Sequence, residues 1–295
     1  MIRGGNKTTL FVVICTIIVL IAISLVGVYI QRSTSFTDYP EIASRGYINA
    51  GILRSPISYH AEGDSIYGFD YELLQMLSRH SGLKIVTQPE TSYTHSLKLL
   101  DNHTYDIIAC QIPATNENKQ EHHIFTRPIS LGKQVLVQRT DSSNQGTIRN
   151  QIALGGCTLH ITHNAPTRLR IENLSHEIGD TIYICDKHNY GTDSLITLVA
   201  NGEIDYAVCD ESSAIVYARP YNNIDYNTDI SFTQLRSWML HPKSVVLNDS
   251  INKWLAEIQK TEEYRLLYTR YFGTSSYDKF IRINTWSDST TISNE

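Results

Sequence analysis

The run Ser194-Leu195-Ile196-Thr197-Leu198-Val199-Ala200-Asn201-Gly202-Glu203-Ile204-Asp205-Tyr206-Ala207-Val208-Cys209-Asp210 decides the fold. Ser194 to Asn201 reads as a helix and Asp205 to Cys209 as a short strand, with an acid at the strand's carboxyl end. Working backwards, Thr181 to Cys185 is a strand, Pro166 to Leu174 a helix with Pro in its first turn, and Thr158 to Thr162 and Gln134 to Gln138 are strands. The same rhythm occurs once more, nearer the N-terminus. Tyr47 to Leu53 is strand-like and ends in the turn Arg54-Ser55-Pro56. Phe69 to His80 carries apolar residues at Phe69, Leu73, Leu74, Met76 and Leu77, a helical spacing closed by Gly82. Leu83 to Thr87, Ser96 to Asn102 and Tyr105 to Gln111 follow as strand, helix and buried strand. Two β-α-β-α-β blocks imply two α/β lobes, each with a largely parallel sheet covered by helices. Trp238 to Leu240 and the helices Ser250 to Lys260 and Glu262 to Tyr271 complete the chain.

Open α/β sheets bind ligands beyond the carboxyl ends of their strands, and paired lobes hold them in the cleft between. Those ends are Arg54 to Tyr59 and Gln111 to Thr115 in the first lobe. In the second they are His163 to Ala165, Asp186 to His188 and Asp210 to Ser212.

Composition narrows the function. The 295 residues carry 25 Lys plus Arg against 30 Asp plus Glu, a net charge of −5, so no general basic field favours nucleic acid. Five cysteines without a Cys-x-x-Cys pair exclude a disulfide-stapled miniprotein and a zinc ribbon. Cys110, Cys157 and Cys209, in or beside short β-type runs, read as small buried hydrophobes, with a Cys157–Cys185 pair left open. From Leu10 to Ile30 there are 21 residues without a charge. As a helix they would span roughly 31 Å, the thickness of a bilayer's hydrocarbon core. Arg3 and Lys7 precede the run and no acid occurs before Asp38, which places the N-terminus in the cytoplasm and the rest outside. An uncleaved transmembrane anchor is expected, with a cleaved signal peptide as the alternative.

At this point the chain resembles the family-3 extracellular solute-binding proteins, from roughly Gly46 to Gly273. Gly51-Ile52-Leu53-Arg54-Ser55-Pro56 is similar to the family's first strand and ligand loop, and Gly68-Phe69-Asp70 to the opening of its first helix. Tyr105-Asp106-Ile107-Ile108-Ala109 with Thr115 beyond, Phe125-Thr126-Arg127-Pro128, Asn201 to Asp210, and the closing Tyr271-Phe272-Gly273 follow in the family's order. Its particular likeness is to the binding domain of membrane-bound lytic murein transglycosylase F, on the N-terminal apolar run, Ile204-Asp205-Tyr206 and Trp238 to Ser244. Only 22 residues follow Gly273, so no transglycosylase activity is carried over.

The resemblance implies a two-lobed periplasmic-binding-protein fold of type II with a hinge, preceded by one transmembrane helix. The expected organisation is a cytoplasmic N-terminus (1–9), anchor (10–30), tether (31–45), first lobe (46–130 and 236–274), second lobe (131–235) and a loose polar tail (275–295). It implies a small polar ligand and a transporter permease or cell-wall partner, at the inner membrane with the soluble part in the periplasm, and neither cofactor nor metal. Expected ligand-binding residues are Ser55, Tyr59, Phe69, Gln111, Thr115, Lys119, His163, Asn164 and Asp210, with none catalytic. In the family the acid matching Asp210 pairs with a ligand ammonium; the competing reading is a plain helix N-cap, since Glu211-Ser212-Ser213 follows. Tyr59, Tyr67 and Phe69 could wall the cleft, although Phe69 equally suits a core.

Two positions depart from the pattern. The arginine that grips an α-carboxylate, three residues after the Thr, is replaced by Asn118, leaving Lys119 as a less directional charge. In the second lobe a helix N-terminus that offers backbone donors becomes His163-Asn164-Ala165-Pro166, and proline has no N–H. A free amino acid of standard type then fits poorly, and a larger or less anionic ligand such as a peptide or cell-wall fragment fits better. The alternatives are a dehydratase-like enzyme on the same fold, using Asp210 or Asp70, and a degenerate domain that binds a protein or peptidoglycan. His122-His123 and His160-x-x-His163 have poor spacing for a metal on strands.

Overall fold

The computed structural model describes residues 11, 14–21, 24, 38–113, 123–140, 146–163, 165, 167–187 and 190–292. They fall in two units, Met1–Thr37 and Asp38–Glu295. In the first, Phe11, residues 14–21 and Ser24 are helical, and Phe11 and Leu20 are exposed. Among the described residues no helix is long and apolar enough to cross a membrane. Much of the run from Leu10 to Ile30 lies outside them.

The second unit holds two sheets. Strands β1 (Tyr47–Leu53), β2 (His60–Glu62), β3 (Ser65–Tyr67), β4 (Lys84–Glu90), β5 (Ile107–Pro113), β6 (Ile124–Phe125) and β7 (Ser130–Gly132) come first. They are followed by β8 (Gln134–Arg139), β9 (Thr158–Thr162), β10 (Tyr183–Lys187), β11 (Tyr206–Asp210), β12 (Ile224–Asp229) and β13 (Gln234–Leu240). The first sheet has the order β4-β1-β5-β13-β6, with β7 also on β13. Its centre is parallel: β1 pairs in parallel with β4 and β5, and β13 closes against β5 antiparallel. The second sheet has the order β10-β9-β11-β8-β12, again parallel at β10-β9-β11 and antiparallel at β8. The parallel strands come from the two β-α-β-α-β blocks, whose helical crossovers return each strand in the same direction. The chain leaves the first sheet through β7 into β8 and returns through β13. There the two crossings lie side by side, Ser130 opposite Arg236 and Gly132 opposite Gln234.

The first lobe's core joins Ile48, Ala50 and Ile52 of β1 to Phe69, Leu73, Leu74 and Leu77 of the helix Phe69–Ser81 and to Leu247, Ile251 and Leu255 of the helix Val245–Ile258. Gly82 ends the helix Phe69–Ser81 at φ 73°, a left-handed cap open to glycine. The second lobe packs one cluster around Leu136, Leu159, Ile161 and Ile171 and another around Val135, Val137, Leu195 and Val199, on opposite faces of its sheet.

Two segments differ from expectation. Within the stretch expected as a tether, Tyr39–Arg45 is a helix with Ile42 fully buried, started by a capping box between Asp38 and Glu41. The Asp38 carboxylate also accepts from Leu247 N at 2.8 Å and Val246 N at 3.2 Å, so one side chain caps two helices. Asp38→Ala is expected to lower stability by about 1 kcal/mol, read from the urea midpoint. The polar tail is not loose: Thr274–Ile292 is a helix, and Phe280 is fully buried against Tyr264 and Tyr268. One aromatic anchor offsets the low apolar content around it.

Candidate functional site

Between the two sheets lies a cavity of about 710 Å³, lined by the carboxyl ends of strands from both lobes. Strand β1 and the loop after it supply Leu53, Arg54 and Ser55, and β5 supplies Gln111, Ile112 and Pro113; β9 ends at Thr162 and leads into His163, and β11 ends at Asp210. The loop after β1 is pinned locally. Arg54 N donates to Glu90 O at 2.8 Å, Ser55 and Tyr59 exchange backbone bonds at 3.2 and 3.1 Å, and Ser55 Oγ accepts from Ser58 N at 2.8 Å. Gly68 sits against this loop at φ 136°, where a Cβ would lie 2.4 Å from Ser58 O. Only glycine lets the helix Phe69–Ser81 start so close to the cavity wall.

Asp210 stands at the N-cap position of the helix Glu211–Tyr217, yet its side chain makes no capping bond. Its Oδ1 accepts instead from Arg236 Nη2 at 2.7 Å. Arg236, on β13, is 3% exposed, and its Nη1 donates to Gln111 O at 3.1 Å. One guanidinium therefore joins β5 of the first lobe to β11 of the second at the cavity floor. It fits because the neighbouring crossing strand carries Gly132: a Cβ there would sit 2.7 Å from Arg236 Nε.

Beneath the floor Asp70 is fully buried and accepts from Trp238 Nε1 at 2.8 Å through Oδ1. Burial raises its carboxyl to about 6, against the opposing hydrogen bond from Trp238. Burial, with the nearby Asp70 carboxylate, pushes the Cys110 thiol well up. All five cysteines are free, Cys157 and Cys185 included. Among the described residues no group of three or more His, Cys, Asp or Glu could hold a metal ion.

Of the residues expected from sequence, Ser55, Gln111, His163 and Asp210 meet around the cavity. Phe69 does not: it is fully buried in the first lobe, edge-on to Tyr264, Tyr268 and Tyr271 and 4.9 Å from the Phe272 ring centroid, because helix periodicity turns it inward. Tyr59 packs edge-on against Tyr71 at 5.6 Å, and Tyr67 is exposed on the β2–β3 hairpin; neither lines the cavity. Thr115, Lys119 and Asn164 lie outside the described residues, as do Asn118 and Pro166. Asp186 stands behind His163, accepting from Arg168 Nη2 at 3.0 Å with His163 Nδ1 also at 3.0 Å. Sequence reasoning missed Arg236, Gln134, Thr167, the Thr91-Ser92-Tyr93 wall and the Tyr190-Gly191-Thr192 wall. The Thr91 wall follows from the strand-end rule once β4 is carried on to Glu90.

The model of the bacterial extracellular solute-binding proteins, family 3, matches residues 48–274. The chain belongs to this family. A family member with both curated and structural likenesses, it is 23% identical over 254 residues to membrane-bound lytic murein transglycosylase F of Photobacterium profundum, covering 84% of this chain and 48% of that protein. It is 23% identical over 237 residues to the L-cystine-binding protein TcyJ of Escherichia coli, covering 79% and 85%. The chain spans about half the length of the lytic transglycosylases it matches. A variant of ArgBP from T. maritima superposes with TM-score 0.67 at 22% identity, covering 79% of this chain and 98% of that one. That likeness shows the two-lobed periplasmic-binding-protein fold.

Proposed function

We propose that this family-3 chain is a membrane-anchored, extracytoplasmic binding protein that closes two lobes around a small polar ligand. The observation that carries this is the cavity between the sheets, walled by strand ends of both lobes and bridged at its floor by Arg236. Its size suits an amino-acid derivative, a short peptide or a cell-wall fragment. The crossings at β7 and β13 are the natural hinge, since only these two strands and their flanks need rotate for the lobes to part. The apolar run from Leu10 to Ile30 supports an anchor at the inner membrane, with the binding unit in the periplasm. Delivery to a transporter permease fits the family; reporting to a cell-wall partner fits the transglycosylase relatives.

Binding suits the site better than catalysis. The acid facing the cavity, Asp210, is held by a guanidinium, and Asp70 is sealed under the floor. Neither is placed to pass a proton to a ligand. The test is a thermal-shift screen of the full chain in detergent against amino acids, short peptides and muropeptides. One class is expected to raise the melting temperature by several degrees at saturating concentration, since a ligand selective for the folded state stabilises it. Silence across all three classes would refute the reading and favour a domain that docks a protein.

A further inference from the structure

We infer that the cleft selects a small organic anion, with Arg54 as its charge anchor and Arg236 as the residue that sets the sign of the site. The inference rests on the binding function proposed above and names its ligand class. Among the described residues, the permanently charged side chains lining the cavity are Arg54, Asp210 and Arg236. Arg236 is immobilised between Gln111 O and Asp210 Oδ1, with Gly132 leaving the space it needs. Its charge offsets that of Asp210, so a ligand ammonium would meet a carboxylate whose Oδ1 is already held by a cation.

Arg54 is different. It is exposed just beyond β1, it lines the cavity, and among the described residues its guanidinium has neither a hydrogen bond nor an ion pair. The acid nearest in the sheet is Glu90, whose carbonyl fixes the Arg54 backbone and which stands opposite Leu53. That carboxylate is already engaged, through Oε1 by the Tyr105 hydroxyl at 2.6 Å and through Oε2 by His95 Nδ1 at 3.0 Å. Among the described residues that line the cavity, Arg54 is thus the one permanent charge without an opposite partner. A planar guanidinium there offers a paired hydrogen bond to a carboxylate. The cation that sequence finds missing at one place is supplied at another. The ligand that balances this site carries net negative charge.

The experiment uses the full chain in detergent, with calorimetric titration and melting curves against glutamate, N-acetylglutamate, citrate, glutamine and arginine. The anions are expected to bind at least about ten-fold more tightly than glutamine or arginine. Arg54→Gln should weaken anion binding about ten- to a hundred-fold without moving the melting temperature of the unliganded protein. Arg236→Met should expose the Asp210 charge and turn preference towards arginine. Because that side chain is buried, Asp210→Asn serves as the independent variant, expected to tighten anion binding several-fold. Wild-type preference for arginine or glutamine, or anion binding by Arg54→Gln as tight as wild type, overturns the inference while leaving a binding protein. Failure of all five probes to bind overturns it too. Only silence in the broader amino-acid, peptide and muropeptide screen would bring down the binding function itself.

Discussion

Replacing Phe69 by alanine is expected to lower folding stability by about 3–5 kcal/mol while leaving the ligand affinity of the folded protein unchanged. The ring is fully buried at the first turn of its helix and touches four aromatic rings of the helix Glu262–Phe272. Truncation removes the apolar burial of a whole ring and leaves a cavity whose walls are themselves rigid aromatics, so little collapse can relieve it. The backbone offers no relief either. Phe69 N donates to Ile57 O, and Gly68 is locked against Ser58. Urea unfolding gives the stability change, and titration with a ligand found in the screen gives the affinity. A drop below about 1 kcal/mol, or an affinity loss at full stability, would return Phe69 to the cleft wall against its position in the core.

Much of the architecture was legible because its signals are local. Strands β1 and β9 match their expected limits residue for residue. Short β-type runs between turn residues leave few alternatives. What escaped depends on distant partners. Gln234-Leu235-Arg236-Ser237 looks too polar for a central strand, and only its pairing with β5 and β7 makes it one. The helix Thr274–Ile292 is rich in Ser and Thr, and it is held by Phe280 finding Tyr264 and Tyr268. The helix Tyr39–Arg45 does carry a local signal, the Asp38-x-x-Glu41 box with Pro40, although the polarity of the stretch reads as a tether.

The site divides in the same way. The strand-end rule brought Ser55, Gln111, His163 and Asp210 to one cavity. It could not bring Arg236, which enters from a crossing strand and changes what Asp210 can do. Nor could it rank Phe69 as core over cleft, because an aromatic at a helix start serves either place.

Asp70 provides the second large effect, and it is a gain. Asp70→Asn is expected to stabilise the protein at pH 7 by on the order of 2–3 kcal/mol, and to flatten its stability between about pH 4 and 6. Burial pushes the folded carboxyl up from an ordinary value of 3.8 to about 6, and the hydrogen bond from Trp238 only partly offsets that burial. Between these values the folded state holds a proton that the unfolded chain has released. Stability therefore falls as pH rises through the window, and the full penalty is present above it. Asparagine keeps an oxygen for Trp238 Nε1, which now donates to Asp70 Oδ1 at 2.8 Å, but has no charge to desolvate. Cys110 does not confuse the measurement, since its thiol is pushed well above its ordinary range and stays neutral throughout. Urea unfolding of both proteins at pH 4, 5, 6 and 7.5 isolates the group by difference. The gap should be small at pH 4 and open steadily to pH 6. Parallel curves would mean that Asp70 is ionised at little cost, and that the buried floor of the cleft is better solvated than its packing implies.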